Sequence, residues 1–301
     1  MKNLSAAFLL LAFAGPASSA AALSLDGGIS QVAGNSNYAG TSAFAKITHN
    51  GCSLTPSFSQ YHSDSSSGTY QTFSLRGGYD TKLYGFGVTV GGTPRVNGYT
   101  SSFVGVDGVI SLTPTGGSAP DRIRGSQQGK SGASGSGLAR IDLSGAVTYI
   151  KHHDALASGN VARAQAVNIG QTNLNGAVGV SVLKNLISVD ITKFVYDHNL
   201  AVVAARPAGV QNLTGLSAAV QGFPNTSTSV RLQTQMLPLV TPFVSYTHTV
   251  FALNQPHTDA YTVGGYVEFE IVEVTASYQR YASSGGLQDQ NYYSLGASLR
   301  F

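Results

Sequence analysis

Apolar and polar residues alternate with period two along most of this chain, and the pattern is clearest in its final segment. From Asn291 to Phe301, Tyr293, Leu295, Ala297, Leu299 and Phe301 fall on one face; Tyr292, Ser294, Gly296, Ser298 and Arg300 fall on the other. That is the signature of a strand with one apolar face. Val178, Val180 and Val182 alternate with Ala177, Gly179 and Ser181, and Ile141, Leu143 and Val147 with Arg140, Asp142, Ser144 and Thr148. Val263, Val267 and Phe269 alternate with Thr262, Gly264, Tyr266, Glu268 and Glu270. The pattern predicts about fourteen strands: 23–31, 41–49, 52–61, 69–80, 83–92, 99–112, 138–151, 172–184, 186–198, 229–237, 240–252, 261–270, 272–282 and 291–301. Their mean of about ten residues suits strands that cross a bilayer at a tilt.

The connections sort by parity. After even-numbered strands they are mostly short, near Asn50-Gly51, Asp80-Thr81-Lys82, Lys184-Asn185, Pro238 and Ile271. After odd-numbered strands they are longer and polar: 32–40, 62–68, 152–171, 199–228, 253–260 and 283–290. Short turns on one rim and long loops on the other are expected of a closed membrane barrel. Residues 113–137, rich in Gly and Ser, break this order. They are either a long connection on the short-turn rim or the mark of a miscounted strand pair, which would leave twelve strands.

Charge sharpens the picture. Asp, Glu, Lys and Arg make up only 10% of the 301 residues, against roughly 25% in an ordinary soluble domain. A water-facing exterior of this size would need more. The formal charge of +3 is spread too thinly for a nucleic-acid partner. The single cysteine, Cys52, cannot form an intramolecular disulfide and reads as a small residue near a turn. Residues 1–22 read as a secretory signal peptide. Lys2 is followed by an apolar run from Leu4 to Ala14, then Gly15-Pro16 and small residues that place the mature start near Ala21 or Leu23. About eleven apolar residues are too few for a membrane helix. The expected organisation is a signal peptide over 1–22 and one barrel over 23–301.

The C-terminal stretch Gly296-Ala297-Ser298-Leu299-Arg300-Phe301 resembles the assembly signal of Gram-negative outer-membrane β-barrels, with Gly296, Leu299 and the terminal aromatic Phe301 in the matching positions. Leu295 stands where that pattern has a polar residue. The resemblance implies a bacterial outer-membrane location, outer-membrane lipid around the wall, and insertion by the barrel-assembly machinery. The fold class is therefore all-β, a closed antiparallel transmembrane barrel.

In such a barrel the apolar face meets lipid and the polar face meets the lumen. The outward side chains of the first strand would be Leu23, Leu25 and Ile29, and Tyr79, Tyr84, Tyr149, Tyr246, Tyr278 and Phe301 would form interfacial girdles. The inward charges would be Asp26, Lys46, Arg76, Asp107, Arg140, Asp142, Asp190, Arg231, Glu268, Glu270, Glu273 and Arg300. These either line a polar channel or pair with one another and fill a narrow barrel. Glu273 and Arg300 could pair across the last hairpin. Lys193 falls on the apolar face and suggests a bulge.

Candidate chemistry is sparse. Histidines His62, His152, His153, His198 and His257 gather toward the long-loop rim, most with a carboxylate close by: Asp64, Asp154, Asp197 and Asp259. His248 lies nearby on a strand. Imidazole with carboxylate suits a divalent metal, but the spacing defines no site. Gly125 to Ser131 resembles a phosphate loop with one residue too few between its glycines and no strand–helix context. The neighbouring Arg122, Arg124 and Lys130 would sooner meet lipid headgroups or anionic solutes. No serine elbow or metalloprotease motif occurs. The expected function is a porin-like channel for passive diffusion of small polar solutes, without cofactor or catalysis. The alternatives are a non-conducting barrel that binds partners through its loops, aided by the helical spacing of Leu213, Leu216 and Val220, and a lipid-modifying enzyme.

Overall fold

The computed structural model describes residues 23–301 apart from 36, 65–67, 82, 97–98, 114–138, 155–166, 198–222, 238, 253, 255 and 285–288. The chain runs through β1 (Leu23–Gly34), β2 (Tyr38–His49), β3 (Cys52–His62), β4 (Tyr70–Asp80), β5 (Tyr84–Val96), β6 (Tyr99–Leu112) and β7 (Ala139–Asp154). It continues through β8 (Val167–Val182), β9 (Asn185–Tyr196), β10 (Pro224–Thr234), β11 (Val240–Phe251), β12 (Thr258–Phe269), β13 (Val272–Ser283) and β14 (Gln290–Arg300). Every strand pairs antiparallel with its sequence neighbours, and β14 returns to β1, so the sheet closes as a barrel of fourteen strands. The closing ladder runs from Asp26 opposite Arg300 to Gly34 opposite Tyr292. It is continued by Leu25 N–H to the Phe301 carbonyl at 3.0 Å and Phe301 N–H to the Leu25 carbonyl at 2.8 Å. Closure leaves no row of unpaired backbone groups, which a hydrocarbon surrounding would not tolerate.

The strands agree with the alternation, but they outrun it at one rim. β2 begins at Tyr38, β5 extends to Val96, β7 to Asp154, β8 begins at Val167, β10 at Pro224 and β12 at Thr258. All these extensions lie on the side of the long connections. There both faces of a strand are polar, as in Thr226, Ser227 and Thr228, so no hydrophobic period marks them. His152 and His153, expected in a loop, are therefore strand residues. The turns of the opposite rim are tight. Asn50 and Gly51 both have positive φ, 50° and 83°, the geometry of a two-residue hairpin turn that follows the strand twist. Leu183 and Lys184 adopt the same signs, φ 48° and 69°, without a glycine to ease them.

The parity of the connections holds with exceptions. On the long-loop rim, β1 ends at Gly34 and β2 begins at Tyr38, and β5 ends at Val96 and β6 begins at Tyr99. The connection between β6 and β7 is long and belongs to the short-turn rim, because the strand count on either side of it is correct. Its interior lies outside the described residues, as do the signal segment 1–22, the stretch 125–131 with Arg122 and Arg124, the 213–220 helical spacing and His198. Pro94 accounts for a second irregularity. The β5–β6 register shifts between Thr93 and Val96, where Pro94 has no N–H to give the ladder.

Directly opposed residues share a face, so the register sorts the wall. Val88, Val106, Val147 and Leu174 stand in one row across β5 to β8, and each is about half exposed. This apolar exterior carries the tyrosines at its two margins. Tyr79 contacts Tyr84 near the short turns, with ring centroids 6.4 Å apart. Near the other rim Tyr246 meets Tyr261 and Tyr278 meets Tyr293, each at 5.2 Å. Lys193 belongs to the same exterior. The expected bulge is absent: both ladders of β9 run unshifted, with Lys193 opposite Leu174 and Thr226. Its ammonium reaches up to the Asn225 side-chain carbonyl, so a long stem covers apolar wall while the charge sits at the rim.

Candidate functional site: the inner wall

The other face of every strand points into the barrel, and it divides into two levels. Nearly all the inner-face charges occupy the middle and the short-turn half. The long-loop end carries aromatic side chains instead.

At the lower level, eleven of the charges expected inside lie on the inner face by register, and they are mostly engaged. Arg76 on β4 donates through Nε to Asp107 Oδ1 at 2.9 Å and through Nη2 to Asp107 Oδ2 at 2.5 Å. Asp107 stands on β6, so the guanidinium crosses the whole of β5. Gly87 makes the crossing feasible: a Cβ there would lie 2.3 Å from Arg76 Nη2. Arg140 donates from Nε to Asp142 Oδ1 at 2.7 Å and from Nη2 to Ser111 Oγ at 2.9 Å. Ser111 in turn donates to Asp142 Oδ1 at 2.5 Å. This network is buried, with Arg140 1% and Asp142 4% exposed.

Asp26 accepts from Arg300 Nε at 3.0 Å and also faces Lys46 across β1–β2. Arg300 therefore pairs with the strand that closes the barrel; its partner is not the expected Glu273. Asp190 accepts from Asn175 Nδ2 at 2.9 Å. The Arg231 guanidinium lies 4.0 Å above the Phe243 ring and donates to Tyr266 Oη. Glu268 and Glu273 stand opposite each other across β12 and β13. Glu270 departs from expectation: it lies in the β12–β13 turn with φ 46°, because the strand already ends at Phe269. Between these charges run pairs of small hydroxyls, Ser30 with Ser42 at 2.6 Å and Ser57 with Ser74 at 2.5 Å.

The upper level escaped the sequence reading. Tyr281, Tyr292, Tyr38, Tyr61, Tyr70, Tyr99 and His152 follow one another along the inner wall, with successive ring centroids 5.2 to 6.1 Å apart. His152 ends the arc, its Nδ1 2.9 Å from Tyr99 Oη and its Nε2 3.2 Å from Gln171 Oε1. Tyr196 continues on β9, donating to the Pro224 carbonyl at 2.9 Å and packing edge-on against Phe223. Tyr292 is 1% exposed. A signal was present in the sequence: each arc tyrosine occupies a polar-register position near a strand end at the long-loop rim. An amphipathic ring at such a position reads as polar, so the ring-to-ring packing was not anticipated.

The histidines do not converge as a group. His152 points inward and His153 outward, the latter with Nδ1 2.8 Å from Asn168 Oδ1. Asp64 receives the Asn37 amide at 3.0 and 3.1 Å. Among the described residues, His257 alone of these joins others, close to His248 and Asp259 on the outer face of the long-loop rim. At the opposite end of the sequence signal, Gly296 faces Ser30 and Leu299 faces Gly27 on β1.

A closed sheet, an apolar exterior margined by tyrosines and a polar interior define a transmembrane β-barrel of the outer-membrane type. No family model matches the sequence, and no curated protein matches it. Among solved structures, CdiB from Acinetobacter baumannii is similar with a TM-score of 0.49 at 9% identity, over 93% of this chain and 60% of that one. The chain thus spans less than two thirds of CdiB. Pseudomonas aeruginosa OccK10 aligns with a TM-score of 0.43 at 10% identity, over 93% of this chain and 99% of that one. Pseudomonas aeruginosa OpdK, solved with vanillate, aligns with a TM-score of 0.43 at 8% identity, over 93% and 98% of the two chains. Likenesses this distant carry no functional weight, and the class rests on the wall itself.

Proposed function

We infer that this barrel is an outer-membrane, porin-like channel that lets small polar solutes diffuse along its inner wall. The observation that carries the reading is the inner face of a fourteen-strand closed sheet, with hydroxyls and opposed fixed charges at mid-height. Fourteen strands spaced about 4.8 Å apart and tilted by about 40° close a backbone cylinder roughly 28 Å across. Serine and glycine side chains leave much of that width free, whereas an eight-stranded barrel is filled by its side chains. Fixed charges of both signs would hold water and give weak selectivity. The upper aromatic arc would be the narrowest and least hydrated level. In this reading Asp26, Lys46, Arg76, Asp107, Arg140, Asp142, Asp190, Arg231, Glu268, Glu273 and Arg300 line the path. Gly296, Leu299 and Phe301 are read by the barrel-assembly machinery, and the apolar exterior sits in outer-membrane lipid.

A second reading is favoured by a specific observation. The near-complete burial of Arg140 and of Tyr38, Tyr61, Tyr70, Tyr99 and Tyr292 also suits a barrel closed at both levels, acting through its loops. Ion current separates the two. The mature chain, refolded in detergent and added to a planar bilayer, should give stable conductance steps. Barrels shown to be folded by circular dichroism and heat-dependent gel mobility, yet carrying no current, would overturn the channel and leave the loop-acting barrel.

A further inference from the structure

We propose that His248, His257 and Asp259 form a binding site for one divalent transition-metal ion of the zinc class, on the outside of the long-loop rim. The three come from separate places. His248 is on β11 and Asp259 on β12, directly opposite each other in the ladder. His257 ends the intervening connection. Their ligand atoms all lie within 4.8 Å of one another. His248 Nδ1 is 2.8 Å from Asp259 Oδ1, and His257 Nε2 is 3.7 Å from Asp259 Oδ2. Zinc–nitrogen and zinc–oxygen bonds of about 2.0–2.1 Å in tetrahedral geometry set donor atoms about 3.3 Å apart. The two spacings, to the two oxygens of Asp259, bracket that value and the remaining donor pair lies within 4.8 Å, so side-chain rotations that move the donors by about 1 Å bring them onto one ion.

The surroundings hold the donors in the required orientation. His257 Nδ1 lies 3.1 Å from Ser284 Oγ, which leaves Nε2 as the ligand atom. The His257 carbonyl accepts from Ser284 N–H at 3.1 Å, which ties the loop to the β13–β14 connection. Tyr246 Oη donates to Asp259 Oδ1 at 2.7 Å, which orients the carboxylate. Partners of this kind on the far side of a ligand are what metal sites use to fix tautomer and ring direction. Two imidazoles and one carboxylate suit zinc, nickel or cobalt better than calcium or magnesium, which prefer all-oxygen shells. Three protein ligands leave a fourth position for water. The site is accessible: the side chains of His248, His257 and Asp259 are 37%, 46% and 22% exposed. On binding, each ligating ring nitrogen is in its unprotonated form, and any protonated imidazole releases a proton.

The test is zinc titration of the full mature barrel, folded in chelator-treated detergent, by calorimetry at neutral pH, with cobalt absorption as a second readout. One ion per barrel is expected, with a cobalt spectrum of tetrahedral intensity and affinity that falls in acid. H257A and D259N should each weaken binding at least 100-fold, H248A by a similar factor, and S284A about 10-fold. H153A, remote on the same rim, should leave it unchanged. Heat-dependent gel mobility confirms that each variant is folded; H257Q, in the loop, serves if H257A is not. Zinc binding that is equal in wild type, H257A and D259N, or no binding by the folded wild type, would overturn the site.

Discussion

Gly87→Ala tests whether Arg76 truly crosses β5 to reach Asp107. The glycine is not needed for its backbone angles. It is needed because a side chain from β4 lies across it. An added Cβ would sit 2.3 Å from Arg76 Nη2 and 2.5 Å from Cζ, while ordinary contact begins near 3.4 Å. The guanidinium must therefore retreat by about 1 Å, which takes bonds of 2.9 and 2.5 Å out of hydrogen-bond range. Bonds to charged partners contribute roughly 1.5–3 kcal/mol each when buried. Asp107 is 36% exposed and Arg76 17%, so screening reduces the pair to about 1–2 kcal/mol in all. The assay is urea unfolding in detergent followed by circular dichroism, since the chain has no tryptophan. Gly87→Ala should lower stability by up to about 1.5 kcal/mol in the wild type, the loss of the pair less the ordinary gain of Ala over Gly. In an Arg76→Ala background the same change should be neutral or stabilising by about 0.5–1 kcal/mol, the ordinary gain of Ala over Gly in a strand. Equal effects in both backgrounds would refute the crossing.

Lys184→Gly should stabilise the barrel by about 1 kcal/mol, because Lys184 holds a left-handed conformation that a side chain resists; Gly51→Ala should cost a similar amount, and urea midpoints read both. Tyr292→Ala, at the most buried position of the aromatic arc, should cost about 3–5 kcal/mol in the same assay. If the wall conducts, seven described inner-face acids, Asp80 among them, against five bases on the strands predict a cation preference. Asp107→Asn combined with Asp190→Asn should remove most of it, seen as a zero-current potential that moves toward zero under a salt gradient.

The sequence was most legible where the surroundings of a strand differ between its faces. Val178, Val180 and Val182 announce β8 because lipid and lumen ask for different residues. Above the apolar band that contrast disappears, and Asn168 or Thr226 carries no period, so the upper strand ends were read as loop. The facing of the inner charges followed from parity alone. Their partners did not, because pairing across strands depends on the tilt and stagger of the closed sheet: Arg76 meets Asp107 two strands away. Arg300 meets Asp26 only because the last strand closes on the first. The aromatic arc was hidden by the double nature of tyrosine, and Glu270 by a turn that begins one residue earlier than the alternation suggests. His257 and Asp259 were visibly close in sequence, but His248 joins them only through the β11–β12 register.

The central claim is that Ser57, Ser74 and the mid-height charges border a water-filled path. Thiol modification during single-channel recording tests it most directly. In a Cys52→Ser background, Ser74→Cys places a thiol on the inner wall and Leu75→Cys places one on the lipid face. A bulky, charged, membrane-impermeant thiol reagent should reduce the current in one irreversible step for Ser74→Cys and leave Leu75→Cys untouched. Current unaffected in Ser74→Cys, or lost in Leu75→Cys alone, would contradict the account.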